Sequence, residues 1–210
     1  MRWWWGRRAA LAGVLVLAAG CSATQTSLHP PRAPDDACAI FKEKKDWYAD
    51  ACDAEERWGV PVAVQLAFIR TESSFRHDAR PPRRKVRGVP IGPRPSTALG
   101  YAQALDGTWE EYQQATGAHG ADRDDFADAV DFIGWYNARS AKMCGISRKD
   151  AYRLYLAYHE GQQGYLQGSH RRKAWLLDTA QKVAERASRY NSQLRRCESQ
   201  LSSRRGFLFF

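Results

Sequence analysis

The sequence predicts an all-α domain, and three observations predict it. From Ala37 onward apolar residues recur at three- and four-residue spacing in one segment after another. Pro61, and later Asp106 or Thr108, stand where such segments would begin as helices. No stretch reads convincingly as a strand, and there is no internal repeat. With 210 residues the chain is long enough for one core once its ends are set aside.

The first helical pattern carries Ile40, Phe41, Trp47, Tyr48 and Ala51 and breaks at Trp58-Gly59-Val60-Pro61. The next helix runs from Pro61, which suits a first turn, to about Ser74. Residues 76 to 96, rich in proline, glycine and arginine, should form an irregular loop, long enough to carry function. Helical patterning returns over Thr108 to Thr116. Two further helices are expected over Asp124 to Lys142, with Phe126, Val130, Ile133 and Trp135, and over Ser147 to His159. The glycine-rich stretch "HEGQQGYLQGSH" reads as a turn before a last helix from about Lys173 to Cys197. The domain is therefore expected over 37–200, with 201–210 as a tail.

Ahead of it lies a targeting segment. Arg2, Arg7 and Arg8 precede an apolar run from Ala9 to Ala19, too short for a comfortable permanent span. Leu17-Ala18-Ala19-Gly20-Cys21 resembles the lipobox of bacterial lipoproteins, which implies a signal peptide over 1–21 and a lipid on Cys21; the alternative is an ordinary secretory signal. Arg7-Arg8 also fits twin-arginine export. Residues 22–36, polar and proline-containing, have the composition of a flexible tether.

Five cysteines in an exported chain leave four once Cys21 is assigned to a lipid, and those four suggest two disulfides in any of three pairings. If Cys38 and Cys52 share one helix they lie roughly 20 Å apart, which favours bridges from this segment to Cys144 and Cys197. A zinc site is the rival, but no cysteine pair has the close spacing of structural zinc, and His77, His119 and His170 lack ligand-like spacing. No metal and no cofactor is expected. The net charge of +9, much of it between Arg76 and Arg94 and in the last third, suits a polyanion such as a phosphate- and carboxylate-rich envelope. No nucleic-acid module is present, and none is expected as partner.

Within "LAFIRTESSF", Val64, Phe68 and Glu72 are four apart and Ile69 is three before Glu72, so the carboxylate extends an apolar face. Desolvation raises a carboxyl pKa and keeps it able to donate a proton near neutral pH, as a general acid must. A helix-end glutamate turned to solvent or to an arginine is the alternative.

Four motifs then appear in order: "ESSF" at 72–75, "ALGYAQ" at 98–103, "LAYHEG" at 156–161 and "ERASRY" at 185–190. Together they resemble the soluble, goose-lysozyme-like lytic transglycosylases, over about residues 58 to 192. The resemblance implies a lysozyme-like helical domain with the long basic loop flanking its cleft. It implies cleavage of the β-1,4 bond between N-acetylmuramic acid and N-acetylglucosamine in peptidoglycan glycan strands, with Glu72 as single acid and base and a 1,6-anhydro product. A water-using goose-type muramidase and a non-catalytic peptidoglycan-binding lipoprotein are the alternatives.

Site residues follow from the same resemblance. Ser73 would bond the acid or the substrate, or satisfy backbone at the helix end; Phe75 would be core. Gly100 and Gln103 match the second motif, Gln103 bonding an acetamido group, while Tyr101 and Ala102 replace leucine and methionine. Tyr158 would orient Glu72 or bind sugar. His159 stands where asparagine is expected and adds a group that titrates near neutral pH. Tyr190 would face the cleft or be a core aromatic. Asp78 and Glu160 are the nearest rival carboxylates. The loop would form a lid or recognition wall. Ser22 resembles an outer-membrane sorting signal, so the expected place is the periplasmic face of the outer membrane, as a lipid-anchored monomer; periplasmic or inner-membrane placement is the alternative.

Overall fold

A computed structural model describes residues 28–205, with side chains through Ser202. Residues 1–27, where the signal peptide and the lipid-bearing Cys21 are expected, and residues 206–210 lie outside the described residues. Seven α-helices follow in order: α1 (Ala37–Glu43), α2 (Trp47–Trp58), α3 (Val62–Glu72), α4 (Asp106–Thr116), α5 (Phe126–Cys144), α6 (Ala151–Leu166) and α7 (Ala174–Arg205), with a 3-10 turn over Ser169–Arg172. Among the described residues there is no strand, only isolated bridges between Val86 and Val89 and between Leu99 and Ala104. The all-α expectation holds.

α3 is the central helix. Every residue from Val62 to Ile69 is buried, which is why its sequence is apolar almost all round rather than striped. It packs against α7 and α2, while α5 packs against α2 and α6, and α6 against α7. Residues with local reasons to cap set the ends: Asp125 accepts from the Asp128 amide at the start of α5, and Asp150 from the Arg153 amide at the start of α6. Neither Asp106 nor Thr108 caps α4, whose N-cap is Leu105 with no side-chain bond.

Five expectations are corrected. The first predicted helix is two, because the chain leaves helical geometry at Lys44, whose side chain is buried and donates from Nζ to the His29 carbonyl at 2.5 Å. Cys38 and Cys52 thus occupy different helices. Among the described residues one disulfide forms, Cys38–Cys197, while Cys52 and Cys144 are not bridged. Their thiols face different neighbours: Cys144 points to the Gln162 carbonyl on α6 at 3.7 Å, and Cys52 bonds with the Tyr48 hydroxyl, which also meets Ser202 of α7.

Residues 29–36, expected as tether, lie on the body. The Arg32 amide donates to Glu43 at 3.0 Å, the Ala37 amide to Gln193 at 2.8 Å, and the Tyr190 hydroxyl to the Pro34 carbonyl. At the other end α7 continues to Arg205 with Leu201 buried, so the tail does not begin at 201. Finally, α6 continues past His159 to Leu166, through a single non-helical residue, Gly161, at φ 72° and ψ 160°.

Candidate active site

α3 ends on Glu72. The chain then turns through two non-glycine residues of positive φ, Ser74 at 53° and Phe75 at 62°, each costing on the order of 1 kcal/mol or more. Burial of Phe75, whose ring stacks on Trp47 at 5.9 Å, holds the turn. A sharp, strained turn immediately after the carboxylate leaves Glu72 at the helix end with part of its surface open to water. Even so, desolvation dominates its chemistry: burial pushes its pKa up to about 7, against the opposing pull of a hydrogen bond from the Tyr155 hydroxyl. Among the described residues no ion pair involves Glu72.

α6 supplies the facing side. Tyr155 and Tyr158 each meet Phe68, one turn before Glu72, edge-on at 5.3 Å. Tyr158 is pushed well above its ordinary pKa, first by burial and then by the charge of Glu72. Its hydroxyl donates to the Ala102 carbonyl at 2.6 Å. It therefore ties the third motif to the second, and the residue that bonds Glu72 is Tyr155. The sequence reading missed Tyr155; its signal was the three-residue spacing from Tyr158, which puts both on one face of α6.

Beside Tyr158 opens a cleft of about 310 Å³, lined among others by Gln103, Leu105, Thr108, Tyr136, Tyr158 and His159. A larger hollow of about 530 Å³, near the start of α3 between Pro61, Lys149 and Asn191, is lined by Ala187 and Ser188 of the fourth motif but by no residue of the other three. Glu72 itself lines neither hollow; Tyr158, which meets Phe68 and feels the Glu72 charge, connects the smaller one to it.

Several expected contacts are redirected. Ser73 Oγ donates to the Ile69 carbonyl at 3.1 Å and is buried, so it satisfies backbone. Tyr101 stands edge-on against the stacked rings of Trp47 and Phe126 in the core, at 5.6 Å from each, and forms no cleft wall. Gln103 donates from Nε2 to the carbonyls of Ala79 at 2.8 Å and Gly100 at 3.0 Å. Both amide hydrogens are spent, and only Oε1 remains to accept from a ligand. Tyr190 is fully buried with its hydroxyl on Pro34, which makes it a core aromatic. His159 does stand at the cleft, with Nδ1 3.0 Å from Glu160 and its ring 4.9 Å from Trp175.

The rival carboxylates are also accounted for. Asp78 is exposed and pairs with Arg76 at 3.3 Å. Glu160 has a buried side chain that would favour the neutral form, but bonds from Lys173 at 2.7 Å, Ser169 and His159 hold it down to about 2. It is ionised at any working pH and cannot serve as the acid. Asp50 on α2 is raised to about 7, first by desolvation and then by Asp125 and neighbouring aspartates; its charged neighbours are acidic, whereas Glu72 is bonded by Tyr155 and acts on Tyr158, which lines the cleft.

Gly100 has a structural reason for its identity. Its φ is 76°, and a Cβ there would lie 1.9 Å from the Arg123 carbonyl oxygen. Gly100→Ala is expected to cost about 3 kcal/mol or more, read as a lowered urea midpoint; a loss below about 1 kcal/mol would show that the 98–103 segment shifts freely.

Comparison with known families gives one finding that bears on all of this: a model of the transglycosylase SLT domain matches residues 9–197. The chain belongs to that family. No curated protein matches it. As an SLT-domain protein it has the lysozyme-like helical fold, and its family acts on peptidoglycan as lytic transglycosylases. The α3 terminus, the 98–103 turn and α6 are the parts of the SLT domain that converge here. Among the described residues no helix is long and apolar enough to cross a membrane, and no group of acidic, histidine or cysteine residues could hold a metal ion.

Proposed function

We propose that this SLT-domain protein cleaves the β-1,4 bond between N-acetylmuramic acid and N-acetylglucosamine, with Glu72 as the single acid and base. The observation that carries the reading is a carboxyl raised to about 7 at the end of α3, bonded by Tyr155. Protonated, Glu72 gives its proton to the glycosidic oxygen as the bond to C1 breaks. As carboxylate, steadied by Tyr155, it takes the proton from the muramic acid C6 hydroxyl, whose oxygen closes on C1 to give the 1,6-anhydro end. No water is consumed and no second carboxylate is required. Gln103 Oε1, Tyr158 and His159 are proposed to contact the sugars from the cleft side. Mass spectrometry of digested sacculi tests the chemistry: anhydromuramic ends are expected, and reducing ends would identify a hydrolytic muramidase instead.

Tyr155→Phe separates positioning from chemistry. Its bond favours the charged form of Glu72, so its loss raises the Glu72 pKa, and the alkaline limb of the pH–rate profile should move to higher pH. Activity should fall about tenfold at neutral pH. A profile unchanged in shape would remove Tyr155 from the site.

We further propose that the protein acts as a monomer anchored through a lipid on Cys21 at the periplasmic face of the outer membrane. Acylation at residue 21, sought by mass spectrometry of the mature amino terminus, tests this; an unmodified serine or alanine start would exclude it.

A further inference from the structure

The basic loop, expected as a lid or recognition wall, gives no residue to the lining of the cleft beside Tyr158. Between Asp78 and Asp106 there is no acidic residue, and Arg80, Arg83, Arg84, Lys85, Arg87 and Arg94 lie in that interval. Among the described residues none of these six forms an ion pair. The loop is a preformed hairpin. Val86 and Val89 exchange backbone bonds of 2.8 and 3.0 Å, the Arg84 amide donates to Pro93 at 3.1 Å, and the Gly92 amide donates to Arg84 at 2.9 Å. Gly92 permits that approach, since a Cβ there would lie 2.8 Å from the Arg84 carbonyl oxygen. The tip turns apolar side chains outward: Val86 is 48 %, Val89 52 % and Ile91 66 % exposed. Exposed aliphatic groups ringed by cations are costly in water but fit one setting, where lipid phosphates meet acyl chains.

The placement of the hairpin agrees. It leaves the body at Arg76, just after Ser74, and Arg70 bonds both Ser74 at 3.0 Å and Asp35 at 3.2 Å. The amino-terminal segment therefore joins the body beside the root of the hairpin. From Cys21 to His29 the chain can reach at most about 29 Å, so an anchored domain would be held close to its membrane on this side.

We propose that the 80–94 hairpin docks on an anionic lipid bilayer, with Val86, Val89 and Ile91 in the headgroup region and the six cations on lipid phosphates. Docking would add a second contact with the bilayer to a lipid at Cys21 and orient the domain on it. It does not depend on the glycan chemistry proposed above.

The test is co-sedimentation of the full chain with phosphatidylcholine vesicles, with and without phosphatidylglycerol. One variant carries Arg83→Ser, Arg84→Ser, Lys85→Ser and Arg87→Ser; another carries Val86→Ser, Val89→Ser and Ile91→Ser. These side chains are exposed, and although Arg83→Ser loses a bond to the Gly92 carbonyl at 3.4 Å, the backbone bonds of the hairpin remain, so both variants should fold; none of the seven positions lines the cleft, so both should digest sacculi as wild type does. The wild type should prefer phosphatidylglycerol vesicles, the charge variant should lose roughly a hundredfold of that binding, and the apolar variant roughly tenfold. Because all three chains share the same amino terminus, the differences read the hairpin whether or not Cys21 is acylated. Equal binding by wild type and variants overturns the proposal. So does a charge variant weakened equally on vesicles and sacculi while the apolar variant is unaffected, which would mean a surface for any polyanion.

Discussion

Glu72→Gln is expected to lower the release of anhydromuropeptides by on the order of a thousandfold while leaving the protein folded and, above neutral pH, more stable. Both effects have one cause. Glutamine keeps the shape and can still accept from Tyr155, but it carries no exchangeable acid proton. Its stability effect follows from the raised pKa. Folding holds Glu72 at about 7 against an ordinary 4.5, so the folded state binds more protons than the unfolded state between those values. Stability therefore falls as pH rises from about 4.5 to about 7, and the full cost is present above that. Glutamine has no such cost. At pH 8 the variant should gain on the order of 2 kcal/mol after allowance for the part of Glu72 that water reaches; at pH 4 the two proteins should unfold alike. Activity and stability moving in opposite directions is the mark of a carboxyl held for chemistry. A variant that retains activity removes Glu72 from the reaction, and one that loses stability at pH 8 means the carboxylate is a structural partner. The wild-type rate should also decline as pH rises through about 7, since the first step needs the protonated form.

The fold was legible because its helices are marked by three- and four-residue spacing, and α3 was legible as buried because nearly every residue from Val62 to Ile69 is apolar. Glu72 stood out as the carboxylate on that helix. Its surroundings were harder. Ser73, Tyr101 and Tyr190 carry groups able to bind sugar, and nothing in a one-dimensional pattern says that a hydroxyl will turn to Ile69 or Pro34, or that a phenol will wedge beside Trp47. Those outcomes are set by long-range packing. Tyr155 was missed for the converse reason: it lies outside the motif strings, and only the helical register of α6 relates it to Tyr158. The chain ends were misjudged because composition describes a segment by itself. Residues 29–36 look like a tether and would be one without Gln193, Tyr190 and Lys44, which come from distant or later sequence to bind their backbone.

That same amino-terminal segment is tied to the body by the Cys38–Cys197 bridge, whose Cys197 end is buried in the core. The two cysteines are 159 residues apart. In the chain-entropy model a loop of that length, left open in the unfolded state, is worth about 5 kcal/mol, against a total of about 5–15 kcal/mol for an ordinary domain. The bridge joins α1 to α7 at the point where Gln193 also holds the Ala37 amide and the Asp35 carbonyl. Those bonds alone contribute about 1 kcal/mol each. Replacing both cysteines by alanine, or adding reductant, is thus expected to lower stability by about 3–5 kcal/mol in denaturant titrations. The first amides to gain hydrogen exchange should be those of α1 and residues 29–36. Glu72 is bonded by Tyr155 of α6 rather than by the bridged segment, so sacculus digestion at low temperature should persist. If the loss is under about 1 kcal/mol, the packing of α1 against α7 closes the unfolded loop by itself and the bridge is redundant. If activity falls in step with stability at low temperature, the amino-terminal segment positions Glu72 through Asp35 and Arg70, and the bridge belongs to the site as much as to the fold.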